Sequence, residues 1–155
     1  MGAQRALGRR PRSTGALDTD LVGLVDRLTR RLRTARRVCR TVTLRLRFDD
    51  FTRATRSHTM PYATAETPAI LATVRGLLAA AMPMIERRGI TLVGVALGNL
   101  GEGHAIQLSL PFERLRPSAL DRALDDIRDR YGSGAVTRAG LLGRDQGVAV
   151  PLLAD

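Results

Sequence analysis

The sequence contains neither tryptophan nor lysine, and among its 155 residues only two tyrosines, three phenylalanines and one cysteine. A lone cysteine, Cys39, excludes an internal disulfide and any multi-cysteine metal site, and an inert buried thiol is its expected state. The shortage of aromatics argues against a platform that stacks successive single-stranded bases on rings, which leaves duplex as the better fit for a nucleic-acid partner. No run of eighteen apolar residues occurs, and the opening MGAQRALGRR has no apolar stretch behind its positive charge. Neither a membrane span nor a secretory signal is therefore expected, and a cytoplasmic location is. With 44% apolar residues the chain can bury one core and carry an appendage, but not two compact domains.

What is present is arginine. All 25 basic residues are arginines, set against 15 acids. Their placement is lopsided: residues 1–60 hold 15 arginines and 5 acids, residues 61–112 hold 3 and 3, and residues 113–155 hold 7 and 7. The whole excess lies in the first part, and a polyanion is its natural partner.

Hydrophobic periodicity places the elements. GAQRALG can form a short strand before the loop RRPRSTGA. A helix with Asp18 as N-cap then buries Leu21, Leu24, Val25, Leu28, Leu32 and Ala35. From Arg40 the period changes to two: Val42, Leu44, Leu46 and Phe48 face the core, while Thr43, Arg45 and Arg47 face away. A turn at Asp49 and Asp50 leads to a second Thr- and Arg-rich strand, FTRATRSHTM, in a hairpin. Thr67-Pro68 starts a second helix with the stripe Ile70, Val74, Leu77, Leu78, Ala81 and Ile85, which Pro83 should kink or end. ITLVGVAL reads as a central strand and GNLGEG as a turn. A third helix from about Ser118 to Gly132 is expected to bury Leu120, Ala123, Leu124 and Ile127. The residues after it are apolar fragments too short to fold alone. The order predicts an α+β fold, βαββαβ, with a four-stranded sheet, two helices on one face and a tail containing a short helix.

The other face of such a sheet is free. Arg45, Arg47, Arg53 and Arg56, with the hydroxyls of Thr43, Thr55 and Ser57, offer fork-shaped donors suited to phosphate oxygens, and would follow a backbone rather than read bases. A solvated charged face accounts for the same residues. Arg27, Arg30, Arg31, Arg33, Arg36 and Arg37 from the first helix could extend the patch, although a polar helix face explains most of them. His58 and His104 lack ligand-spaced partners and read as surface residues. Asp49-Asp50 fits turn chemistry and Asp125-Asp126 a solvated helix face, so neither reads as a two-carboxylate metal site.

RTVTLRLRFDDFTRATRSHTMP, a helix ending in ERRG, and ITLVGVALGNL together resemble the little-finger domain of Y-family translesion DNA polymerases, most closely the DNA polymerase IV (DinB) type. The resemblance implies a duplex-gripping domain over residues 1–100, an extended linker over 101–117 and a C-terminal tail over 118–155. It also implies a sliding-clamp-binding motif at 107–112, QLSLPF, with Gln107, Leu108, Leu110 and Phe112 in the contact roles. Without the family, that hexapeptide reads equally well as an edge strand closing the core. Y-family catalysis resides in palm carboxylates that hold Mg2+, and no such block occurs here, so no catalytic residue, metal or cofactor is expected in this chain. The implied role is DNA binding and clamp docking in DNA repair and damage tolerance, with primer-template DNA and the bacterial clamp as partners. Two alternatives stand beside it: a subunit of a split DNA polymerase, active with a separately encoded catalytic portion, and a domain whose sheet binds an acidic protein.

Overall fold

A computed structural model describes residues 1–8, 13–103, 117–143 and 150–151. The elements are β1 (Gly2–Ala6), α1 (Thr14–Thr34), β2 (Arg37–Arg47), β3 (Arg53–Thr64), α2 (Thr67–Arg88), β4 (Leu92–Glu102), α3 (Pro117–Tyr131), a 3-10 turn (Ala139–Leu141) and β5 (Val150–Pro151). The expected α+β order is present. All strand pairs are antiparallel, in the spatial order β3-β2-β4-β1-β5. Four long strands form the sheet, and the two-residue β5, from a stretch expected to stay irregular, pairs with Ala3 and Gln4 at its edge.

Period-two burial makes the sheet two-sided. Val42, Leu44 and Leu46 of β2 with Phe48 just after it, and Val93, Val95 and Leu97 of β4, are buried in one cluster with Leu17, Leu21, Leu24, Leu28 and Leu32 of α1 and Ile70, Val74, Leu78, Ala81 and Ile85 of α2. Both helices thus cover the same face. β4 is the central strand, which is why both of its sides had to be apolar or small. By length and composition α2 could cross a membrane. Here its buried stripe packs on the sheet.

Several local expectations are corrected. Helix α1 is capped by Ser13, whose Oγ accepts from the Ala16 N–H at 3.2 Å. Asp18 instead lies within the helix and takes both forks of Arg75 from α2, at 2.7 and 2.8 Å, and that pairing raises the Arg75 pKa. Ala35 is the C-cap and exposed. Pro83 neither ends nor shortens α2, because it lies on the exposed side, where water can serve the carbonyl it leaves unpaired. GNLGEG is not a turn: its first five residues, Gly98–Glu102, are the last part of β4, paired with Arg37–Cys39 and Thr41 of β2. Asn99 (φ 48°) takes the left-handed conformation there that asparagine tolerates better than most residues.

The largest correction concerns α3. Leu120 and Ile127, expected in the core, are 59% and 37% exposed, Ala123 is exposed, and Leu124 is half-buried. Asp121 and Arg128 are buried in their place, at 1% and 6%. The helix docks by charge. Arg33 of α1 grips Asp125 with two hydrogen bonds of 2.6 and 3.1 Å, and Asp26 accepts ion pairs from Arg128 (2.8 Å) and Arg138 (2.9 Å). Asp125 is therefore not the solvated acid its position suggested. Asp121 accepts a hydrogen bond of 2.8 Å from the Thr67 N–H at the start of α2, where Glu66 supplies no side-chain cap. The tail after residue 117 thus folds back across the outer ends of α1 and α2.

Candidate nucleic-acid interface

Residues opposed on neighbouring antiparallel strands share a face, so the register assigns each side chain to one side of the sheet. The β2–β3 turn fixes that register. Phe48 N–H bonds Thr52 O at 2.9 Å, Phe51 takes φ 63°, and Asp50 Oδ1 accepts from the Thr52 N–H at 3.0 Å. Arg88, at the end of α2, pairs with Asp50 at 2.6 Å, contacts the Thr52 hydroxyl and lies 4.5 Å from the Phe48 ring centroid. The hydrogen bond from Arg88 leads the causes that hold the Asp50 carboxyl down to about 2. The turn acids therefore do structural work, as their adjacency suggested.

Four rows cross the face that carries no helix. Arg47 stands between Leu92 and Arg53, Arg45 between Gly94 and Thr55, Thr43 between Ala96 and Ser57, and Thr41 between Gly98 and Thr59. Strand β1 adds Gln4 beside Gly94 and Gly2 beside Ala96. Arginines gather at one end and hydroxyls at the other. Thr43 and Ser57 share a 2.9 Å hydrogen bond, Thr41 and Thr59 one of 3.2 Å, and the Asn99 side-chain amide donates to Thr41 Oγ1 at 2.8 Å. Arg47 donates from Nε to Thr91 Oγ1 at 3.2 Å, which steadies its stem.

Six of the seven residues expected on this surface therefore meet there: Thr43, Arg45, Arg47, Arg53, Thr55 and Ser57. Arg56 does not. It opposes Leu44 and so points to the helix side, as does His58, which opposes Val42. Arg53 and Arg56 are three residues apart, and an odd separation on a strand always divides two side chains between faces. Thr41, Thr59 and Asn99 were missed, and carrying the period-two count two residues back from Thr43 finds the first of them. The arginines of α1 cannot extend this patch, because their helix lies across the sheet. Arg36 and Arg37 lie beyond that helix, Arg36 at φ 52° and Arg37 at the start of β2.

Arg45, Arg47 and Arg53 form no ion pair among the described residues. Arg30, Arg33, Arg75, Arg88, Arg128 and Arg138 on the helical side all do. Cation-rich strands without carboxylates, beside a floor of Gly94, Ala96 and Gly98, make a surface that a polyanion can approach closely. Cys39 is buried, and burial pushes its thiol up to about 11. Among the described residues no cluster of His, Cys, Asp and Glu could hold a metal ion. His104 and the expected clamp motif, Gln107, Leu108, Leu110 and Phe112, lie outside the described residues.

A sequence model of the impB/mucB/samB family C-terminal domain matches residues 1–110. The chain belongs to that family. As an impB/mucB/samB C-terminal domain it resembles DNA polymerase IV 2 of Mesorhizobium japonicum, with 36% identity over 151 residues, covering 87% of this chain and 36% of that protein. DNA polymerase IV of Moorella thermoacetica is 34% identical over 139 residues, covering 90% of this chain and 34% of its own length. The chain thus spans about a third of the curated relatives it matches, at 36% and 34%. A Dbh DNA polymerase in a post-insertion binary complex shares the fold at TM-score 0.56 and 15% identity, covering 65% of this chain and 28% of that one.

Proposed function

We propose that the chain is the DNA-holding and clamp-docking part of a DNA polymerase IV-type translesion enzyme, acting in damage tolerance by tethering rather than by chemistry of its own. One observation carries the first half: Arg45, Arg47 and Arg53, without carboxylate partners among the described residues, stand in register beside a hydroxyl ladder on the helix-free face. A duplex laid on that face meets forked donors aimed at phosphate and small side chains that let its backbone come close. Family membership and the DNA polymerase IV relatives support the same reading. The clamp half rests on the QLSLPF motif. On a clamp, each leucine or phenylalanine of the motif taken out of water would gain about 1.5 to 3 kcal/mol before ordering costs, so the peptide binds weakly alone and gains from simultaneous DNA contact. Mg2+ and the carboxylates that hold it belong to the palm in this reading, which supplies catalysis from outside residues 1–155.

Anisotropy titrations of a mixed-sequence duplex at 50 to 200 mM salt test the surface. Each single variant R45A, R47A and R53A should weaken binding about tenfold, roughly 1.4 kcal/mol, and lower the salt slope by about 0.9. R56A, on the opposite side of the sheet, should leave both unchanged. Equal losses in R45A and R56A would show that net charge, not this face, governs binding. Loss of clamp pull-down in Gln107→Ala with Phe112→Ala tests the second half.

A further inference from the structure

The tip of the β2–β3 hairpin holds a residue that its backbone does not favour. Asp49, Asp50 and Phe51 form a three-residue turn, closed by the Phe48 N–H to Thr52 O bond of 2.9 Å and the Phe51 N–H to Phe48 O bond of 3.0 Å. The last residue of such a turn takes the left-handed conformation, where glycine or asparagine is the usual choice. Phe51 holds it here, at φ 63°. The contacts it makes within the protein leave 62% of it exposed, whereas Phe48, three residues earlier, is buried. A bulky side chain in that place adds backbone strain to exposed apolar surface, and glycine would avoid both.

The turn is firmly braced. Asp50 accepts from the Thr52 N–H and hydroxyl at 3.0 and 2.6 Å, Arg88 pairs with Asp50 at 2.6 Å, and the Asp49 N–H reaches Arg88 O at 3.4 Å. An aromatic residue on a braced turn has little freedom left to lose on binding. Its place matters as much. Arg47 and Arg53 oppose each other at the end of the ladder, so Phe51 stands just past the arginine end of the helix-free face. A phosphate backbone followed along that face toward the hairpin runs from guanidiniums to a lone ring. One ring is no platform for successive bases, but it suits a single base that has lost its pairing partner.

Building on the duplex reading above, we infer that Phe51 stacks on the first unpaired base, where a duplex held on the sheet gives way to single strand. Phosphate contacts alone do not distinguish a blunt duplex from one with a single-stranded extension. A ring at the end of the arginine row does.

Anisotropy titrations at constant salt compare a short blunt duplex with the same duplex carrying a few unpaired nucleotides, as a 5′ or a 3′ extension in separate arms. The unaltered chain should bind one of the extended duplexes roughly fivefold or more tighter than the blunt one, the scale of one base stacked on an aromatic ring. Phe51→Gly, which suits φ 63° and should keep its midpoint in urea, and Phe51→Leu, which keeps apolar bulk without the ring, should both lose that preference. Their binding to the blunt duplex should not change, and Phe51→Tyr should keep the preference. Blunt-duplex binding that depends on Arg45, with an extension that adds nothing or adds as much to Phe51→Gly and Phe51→Leu as to the unaltered chain, overturns this inference and leaves the duplex reading standing. Blunt-duplex binding indifferent to Arg45 overturns the duplex reading and this inference with it.

Discussion

Replacing Asp121 should release the tail while leaving the sheet intact. Asp121 is 1% exposed, and its carboxylate serves three partners: the Thr67 N–H at 2.8 Å, Arg33 at 3.4 Å and Arg138 at 3.3 Å. Removing one partner of a buried pair commonly costs about 3 to 5 kcal/mol, mostly because the remaining charge is stranded. Here neither arginine is stranded, because Arg33 keeps Asp125 at 2.6 Å and Arg138 keeps Asp26 at 2.9 Å. The lost cap on α2 adds about 1 kcal/mol. Asp121→Ala should therefore cost about 2 to 3 kcal/mol. Asp121→Asn keeps an oxygen for the Thr67 N–H and should cost about half as much. Hydrogen exchange read by mass spectrometry locates the loss. Peptides from 117–143 should exchange roughly 30- to 150-fold faster in Asp121→Ala, at a tenfold change per 1.4 kcal/mol, while those from β2 and β4 keep their protection. Unchanged exchange over 117–143 would refute the charge-based docking, and equal losses in the two variants would refute the capping role.

Two further predictions concern the hairpin end. Gly89 has φ 66° and ψ 173°, and a Cβ there would stand 2.2 Å from Asp49 Oδ2, so Gly89→Ala should cost about 1 to 3 kcal/mol, read as a lower midpoint in urea. The Asp50 carboxyl, held at about 2 chiefly by Arg88, contributes stability that is complete above the unfolded value of 3.8 and is lost as pH falls from there through about 2. A carboxyl-detected NMR titration should place its midpoint near 2 and return it toward the ordinary range in Arg88→Gln.

The sheet was legible because β2 states its geometry in its own residues. Val42, Leu44, Leu46 and Phe48 alternate with Thr43, Arg45 and Arg47, and a two-residue period has one solution on a half-buried strand. The register of β3 was less legible, since RATRSHT carries too few apolar residues to announce its inner face, and Arg56 went to the wrong side. Helix α3 misled for the opposite reason. Its Leu120, Leu124 and Ile127 make a clear apolar stripe, and the usual rule buries such a stripe. What overrode it was the outer face of α1, where Arg33 and Asp26 pair with charges at positions 121, 125, 128 and 138. A pairing of that kind depends on which helices meet, and no local pattern in LDRALDDIRDRY contains it.

The same partner dependence explains why the opposite side of the sheet is left open. Covering a sheet face requires large apolar side chains, at about 25 cal/mol for each Å2 removed from water. Along β4 that face offers Gly94, Ala96 and Gly98, and along β1 Gly2 and Gln4, so a helix laid there would bury little and would strand Arg45 and Arg47 away from water. The small residues are not interchangeable with larger ones. A Cβ at Gly94 would already stand 3.1 Å from that of Gln4, so the floor beneath Arg45 is as low as the strand packing allows. Larger side chains at 94, 96 and 98 would raise that floor between a bound backbone and the guanidiniums beside it. In the proposed role, the missing apolar bulk keeps the face free of helices and sets how closely a phosphate chain can approach Arg45, Arg47 and Arg53.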